Sequence, residues 1–566
     1  MTRSSDEPPH YLFVQGPSLD RDARSALIRR RISQKRNLYR EEEETKRQEL
    51  IAQRQSQDPT SRSPVCICPG SSNDADGQTL GQPQQKRSAT VHAQSRKESA
   101  LATCEICGRT RLWSDLSSEN AAVVVPGPLS GRLDPVLAAH SSLGPDANGL
   151  FQHSILHVFP SFRDTDYTAR CYQSWVRGHP NNRLILYSIL WSASCHRDTL
   201  RLSYGSNSTL NTCDQLYYKG RLLSLVREHV ADFGREEWRD GIIMAILFMA
   251  MNETERRDLG RDANPFEPPF IHMQSLSFYG SRDFHQLHWN VVCDILTQLG
   301  GIHRIKLFAL GWLASLADLM NAAHTLSKPN FPMVDVQGHV SYFAPSLRAF
   351  PIPFHMPQKN GFKELLSAHP PVKEGIVDVF RRLSLYSTLL QWTCTHQPDS
   401  ADFDRLADFR YVVHHTLLSL PDERDPIDAI LHLADSPADK CIASHELYLT
   451  CRLASHLYAL HVTYPLPRSS LTRSLILPRL ADKLDEIVQT RSSPLLLWCA
   501  AVAGIAAEGT TEEKRLTNHV RLLCHRLGVR SFEFFEDILQ SFAWVDVACL
   551  PGCRRLWKRL AITGKN

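Results

Sequence analysis

From about residue 120 onward the chain keeps one rhythm, with apolar positions three and four apart. Tyr218, Leu222, Leu225, Val226 and Val230 follow it, and so do Ile376, Val379, Phe380, Leu383, Tyr386 and Leu390. That is the period of a helix burying one face. Thr510 with Glu513 predicts a capping box, Leu516, Val520, Leu523 and Leu527 make the stripe behind it, and Gly528 is a natural stop. Strand-like alternation is scarce. The expected fold class is therefore all-α, a multi-helix array of roughly twelve to fifteen helices, with no repeat at a fixed period. The stripes around 183–253 and 372–392 are expected to bury against one another in a multilayer body. Residues 325–360, punctuated by Pro329, Pro332, Pro345, Pro351 and Pro353, read as a long connection.

The pattern is different before residue 120. Residues 21–54 lack Pro and Gly and are rich in helix formers, so a helix is predicted there. Leu27, Ile28, Ile32 and Leu38 are not followed by regular apolar positions, which argues against a basic-zipper dimer. Residues 55–100 are rich in Ser, Gln, Pro, Asp and Gly and cannot bury enough apolar surface to offset chain entropy. Three regions follow: a basic N-terminal arm at 1–54, a disordered linker at 55–119 and a helical domain at 120–566.

Composition sets limits on function. Of 566 residues 42% are apolar and 22% charged, which excludes a wholly disordered chain. The net charge is +4 on 64 basic and 60 acidic side chains, so any attraction to nucleic acid must be local. It concentrates in the arm, where residues 21–40 hold eight Lys or Arg against Asp22 alone. Arg29, Arg30, Arg31, Lys35 and Arg36 read as a nuclear import signal or a phosphate-contacting patch, the plain alternative being a solvated helix. The fifteen cysteines are mostly single and in apolar surroundings, as at Cys195, Cys293, Cys499 and Cys524, which predicts reduced, buried thiols in an intracellular protein. The start, MTRSSDEPPH, has no apolar core of a signal peptide. Ile242–Met251 and Leu495–Ala507 are too short to span a bilayer and suit buried helices, so no membrane partner is expected.

Catalytic motifs are missing. There is no GxGxxG, GxxxxGK[ST] or GxSxG. His445-Glu446 opens like HExxH, but Leu449 stands where the second imidazole belongs. His285 and His288 could share a metal, yet no third ligand is evident, and they read better as partly buried or surface histidines. Asp422, Glu423, Asp425 and Asp428 are the nearest thing to a magnesium-binding run, but Pro421 and Pro426 make them a loop and helix N-terminus. Cys104 and Cys107 have zinc-knuckle spacing, and Cys66 and Cys68 are weak candidates to complete four ligands. Their surroundings do not hold four thiolates together, so no metal and no cofactor is expected.

Several segments resemble the fungal-specific transcription factor family, a helical regulatory domain that often follows a six-cysteine binuclear zinc cluster. Phe13-Val14, Pro17 and the stretch from Ile28-Arg29 to Lys35-Arg36 are similar to the opening of members with a basic head instead of that cluster, although this chain lacks their histidine near Arg31. Gly131 to Pro135 resembles the segment that opens the helical domain. The densest resemblance runs from Leu186 to His196, through Tyr217 to Gly220, to Ala245–Glu253. His288, Gly300-Gly301-Ile302, Asp318, Leu495–Trp498, Trp544 and Trp557 extend it. The resemblance implies a nuclear transcription regulator with no catalysis, pathway-specific control such as of a secondary-metabolite gene cluster being one use it permits. The first four cysteines are too widely spread for a binuclear cluster. DNA would be reached through the arm, and other transcription regulators through the helical domain. The alternatives are a helical scaffold that never touches DNA and, more remotely, an all-α magnesium-dependent enzyme built on 422–428.

Overall fold

The computed structural model describes residues 101–103, 110–112, 143–163, 165–203, 212–253, 260–341, 350, 359–396, 399–433 and 437–560. The chain divides into two units, Met1–Val124 and Val125–Asn566. In the first, Leu101–Thr103 (β1) pairs antiparallel with Thr110–Leu112 (β2), Leu101 opposite Leu112. The sequence reading contained no strand there. The arm, the rest of the linker and Gly131–Pro135 lie outside the described residues.

The second unit is all-α among its described residues, as expected. Its first half contains α1 (Ala147–His153), α2 (Thr165–Cys171), α3 (Arg183–Ser203), α4 (Cys213–His229), α5 (Glu236–Asn252), α6 (Leu276–Tyr279), α7 (Gln286–Gln298) and α8 (Leu310–Thr325). The second half contains α9 (Glu374–Thr395), α10 (Ser400–Leu418), α11 (Ile427–Ile430), α12 (Ala438–Tyr458), α13 (Ser470–Thr490), α14 (Pro494–Ala506), α15 (Glu513–Arg526), α16 (Phe532–Gln540) and α17 (Asp546–Leu560). Three of these helices run on into wider π-helical turns, at Ser154–Val158, Tyr172–Arg177 and Ala459–Thr463.

Two apolar cores form. One gathers α1 to α8 around α3, α5 and α8, which is buried from Leu310 to Ala323. The other gathers α9 and α12 to α17 around α14. The stripes at 183–253 and 372–392 are both buried, as their periodicity demands, but in different cores. The expectation that they face each other is corrected. Each stripe is wide enough to need a partner of its own, and α10 stands between them. That helix gives Leu406, Phe409, Val413 and Leu417 to the second core and Ala407, Tyr411 and Leu418 to the first. At 3.6 residues per turn these two sets lie on different sides of one cylinder.

Capping residues explain where helices begin. The Thr212 hydroxyl accepts the Gln215 N–H, Ser493 accepts that of Leu496 with Pro494 at the first turn, and Ser531 accepts that of Phe534. The predicted capping box at Thr510 is not made. The Thr510 hydroxyl donates to the Ala507 carbonyl (2.7 Å) in the preceding turn, and α15 starts only at Glu513. Glu513 still reaches back, accepting the Gly509 N–H at 2.9 Å. Gly528 ends α15 with φ +68°, as its position predicts.

A polar hub fixes the first core. Asp198, wholly buried on α3, accepts from Thr212 Oγ1 (2.7 Å) and Gln215 Nε2 (2.9 Å). Its neighbour Arg197 bonds Asp146 (2.6 Å) and Asp214 (2.9 Å), so α1, α3 and α4 meet in one network. Each bond satisfies a group that would be costly to bury alone.

Candidate functional site

Arg29, Arg30, Arg31, Lys35 and Arg36, with Cys66, Cys68, Cys104 and Cys107, lie outside the described residues. The carboxylates near α11 are placed, and Asp422, Glu423 and Asp425 are already engaged. Asp425 pairs with Lys328 (2.6 Å) and accepts the Asp422 N–H, Asp422 accepts the Arg424 N–H, and Glu423 pairs with Arg479. They shape a turn leading into α11, as the flanking prolines predict. On α12, Glu446 pairs with Lys483 (2.7 Å) and Leu449 is buried in the second core, so His445-Glu446 gathers no metal-binding face.

Among the described residues one trio of ligand-type side chains does converge: Glu253, His285 and His288, with their donor atoms within 4.8 Å of one another. Glu253 is the residue on which α5 ends, and its backbone N–H still bonds the Met249 carbonyl. His285 caps the start of α7, donating its backbone N–H to the Ala250 carbonyl (2.8 Å) and accepting that of Trp289 (3.0 Å). His288 lies in the first turn of α7, and the two rings stand 4.4 Å apart between centroids. Their i, i+3 spacing puts them on one side of the helix.

The carboxylate of Glu253 is divided between two donors. His288 Nε2–H bonds Oε2 at 3.0 Å, and the Lys219 ammonium on α4 bonds Oε1 at 2.5 Å. These contacts, that to His288 foremost, hold the Glu253 carboxyl down to about 2. His285 Nδ1 is buried and has no hydrogen-bond partner. Sequence reasoning found both histidines and missed Glu253, because nothing in the linear spacing says that α5 ends where α7 begins.

Beside this cluster lies an internal cavity of about 30 Å³, lined by Trp175, Phe248, Asn252, Tyr279, Ser192 and Leu313 among others. That is room for about two waters. Asn252 sits at its edge, and its buried Oδ1 is without a partner. On α1 and α3, 43 residues apart in the chain, His153 Nε2 and His196 Nδ1 share a hydrogen bond at 2.9 Å. Burial lowers His153 to about 4 and His196 to about 3, with neighbouring His157, Arg197 and Arg282 adding to the effect. Asp318, buried on α8, goes the other way. Desolvation raises its carboxyl to about 6 although the Phe331 N–H (2.8 Å) and Asn330 Nδ2 (2.9 Å) bond it.

These features are framed by a helical body. No curated protein and no solved structure matches the chain. The model of a family described as the fungal-specific transcription factor domain matches residues 180–542. The match begins just before α3 and ends just after α16, taking in Glu253, His285, His288 and most of both cores. It covers well over half of the sequence, so the chain belongs to the fungal-specific transcription factor domain family.

Proposed function

We propose that the protein is a fungal transcription regulator that acts in the nucleus, without catalysis of its own, on a particular pathway's genes. The observation that carries this reading is the family match across residues 180–542. Other transcription regulators dock on the helical body.

The arm at 1–54 supplies import and contact with DNA. Clustered guanidinium and ammonium groups engage phosphates and release counterions, with a log–log salt slope of up to about −0.9 per phosphate contacted. Phosphate contacts carry no base code. A specific site gains on the order of 4–10 kcal/mol over random DNA, more than such contacts supply. Specificity therefore comes from a regulator bound to the helical body.

Replacing Arg29, Arg30, Arg31, Lys35 and Arg36 with Gln tests the arm in cells. Loss of nuclear accumulation with an unchanged helical circular-dichroism signal is expected. Normal accumulation would assign the run to a solvated helix. Chromatin occupancy of the tagged protein tests the regulator reading itself. Enrichment at a limited set of promoters is expected, and its absence would favour a scaffold that never touches DNA.

A further inference from the structure

We propose that Glu253, His285 and His288 form a binding site for a divalent transition-metal ion of the zinc type, joining the end of α5 to the start of α7. Three donors of the right kind come from two helix ends that are already tied by the His285 N–H to Ala250 carbonyl bond. Both imidazoles are carried on one helical turn, so little side-chain freedom is lost when they bind the same ion. The independent sign of a ligand is His285 Nδ1, buried and without a partner next to two groups that do have partners. An ion supplies what that nitrogen lacks, and it takes the place of the proton between His288 Nε2 and Glu253 Oε2. Oε1 remains with Lys219, which fixes the carboxylate's orientation from behind.

Charge selects the ion. One carboxylate, one ammonium and two neutral imidazoles sum to zero, so the site offers no net negative field. Calcium and magnesium need several anionic or carbonyl oxygens and are disfavoured. Zinc, cobalt, nickel and copper take imidazole nitrogen well. The Lys219 ammonium opposes any cation, which sets a moderate affinity. Glu253 and His288 keep 28% and 25% of their side-chain surface exposed. The three donors thus leave a coordination position to water, where a closed structural site would use four protein ligands. The site is an exchangeable one, and its filling couples the family domain to metal supply.

The test is titration of the full chain with Co²⁺ alone, followed in visible absorption. One saturable cobalt site is expected, with a weak visible band, no thiolate-to-metal band and displacement by Zn²⁺. The same band should persist when Cys66, Cys68, Cys104 and Cys107 are all changed to Ser. Glu253→Gln and His288→Gln preserve the local hydrogen-bonding capacity and should each weaken binding by about 100-fold. Zn²⁺ should raise the thermal midpoint where equal Mg²⁺ or Ca²⁺ does not. The proposal is overturned by no saturable band, by a band dominated by thiolate, or by a band that both variants keep unchanged. If one variant fails to fold, the other decides: a band weakened about 100-fold supports the site, and an unchanged band overturns it.

Discussion

The two cores of the helical body solve the same packing problem with different materials. At its centre, along α14, the second core is dry, although α12 in the same core buries Arg452, Ser455 and His456. Leu495 to Ala506 are all fully buried, and small residues let neighbouring helices close in. A side chain added at Gly504 would already press the Leu556 methyls at 3.2 Å. Trp498 stacks on Phe542, meets Phe362 edge-on and gives its Nε1–H to the Ala543 carbonyl at 3.0 Å. The first core is threaded with polar groups: His196, Asp198, Arg282 and Asp318 are buried within it. The dry core draws its stability from area, at about 1.5–3 kcal/mol for each large apolar side chain buried. The other also depends on every polar group keeping its partner.

The largest effect is expected in the dry core. Phe380 is fully buried against Phe362 and near Tyr448. Phe380→Asp should cost about 3–5 kcal/mol, because an unpaired carboxylate would enter an apolar interior. Urea or thermal unfolding measures it, and an unchanged midpoint would mean that α9 is not a core helix.

Acid should act on both cores. His153 and His196 have folded values of about 4 and about 3 against an ordinary 6.5. His414 on α10, desolvated between the cores, falls to about 3. The unfolded chain therefore binds the extra protons. Stability is complete above pH 6.5 and drains as pH falls towards 4 and 3. Asp318 runs against this trend, since its raised carboxyl stabilises the fold when protonated. Its contribution is full below 3.8 and is lost as pH rises through about 6. On α12 and its extension burial also lowers His456 and takes His461 to about 3, so the desolvated rings outweigh this carboxyl. Hydrogen exchange between pH 6.5 and 4 should lose protection around His153 and His196, and around His456 on α12, before α14. Simultaneous loss would show that the two cores unfold as one.

The smallest effect concerns a helix end. Gly528→Ala forces a left-handed residue to carry a Cβ and should cost about 1 kcal/mol. The same unfolding assay resolves it if m is unchanged.

The dry core was the more legible of the two. An apolar run such as Leu495–Ala507 can only be a buried helix, and the stripe of α15 behaves as its period says. Two errors came from reading elements singly. The Thr510 hydroxyl was taken up by a turn that the motif does not mention, and the two long stripes found separate partners across α10. The metal-type trio was half visible. His285 and His288 are neighbours on one helix, but Glu253 joins them only through the packing of α5 on α7. Contacts of that kind are set by tertiary structure, which no local period encodes.

The central place of α14 also has a cost in time. Made late, it is the helix around which α9, α12, α13, α15, α16 and α17 gather. At about 5–20 residues per second, the ribosome needs on the order of ten seconds to travel from Phe380 to Ala506. Throughout that interval the apolar faces of α9, α12 and α13 have no centre to close on. The first core lacks only a few late residues, such as Tyr411 and Tyr464, and can assemble while synthesis continues. A nascent chain of this protein is thus most exposed to aggregation and to chaperone capture in its second half, and a stop codon before residue 494 would leave that exposure permanent.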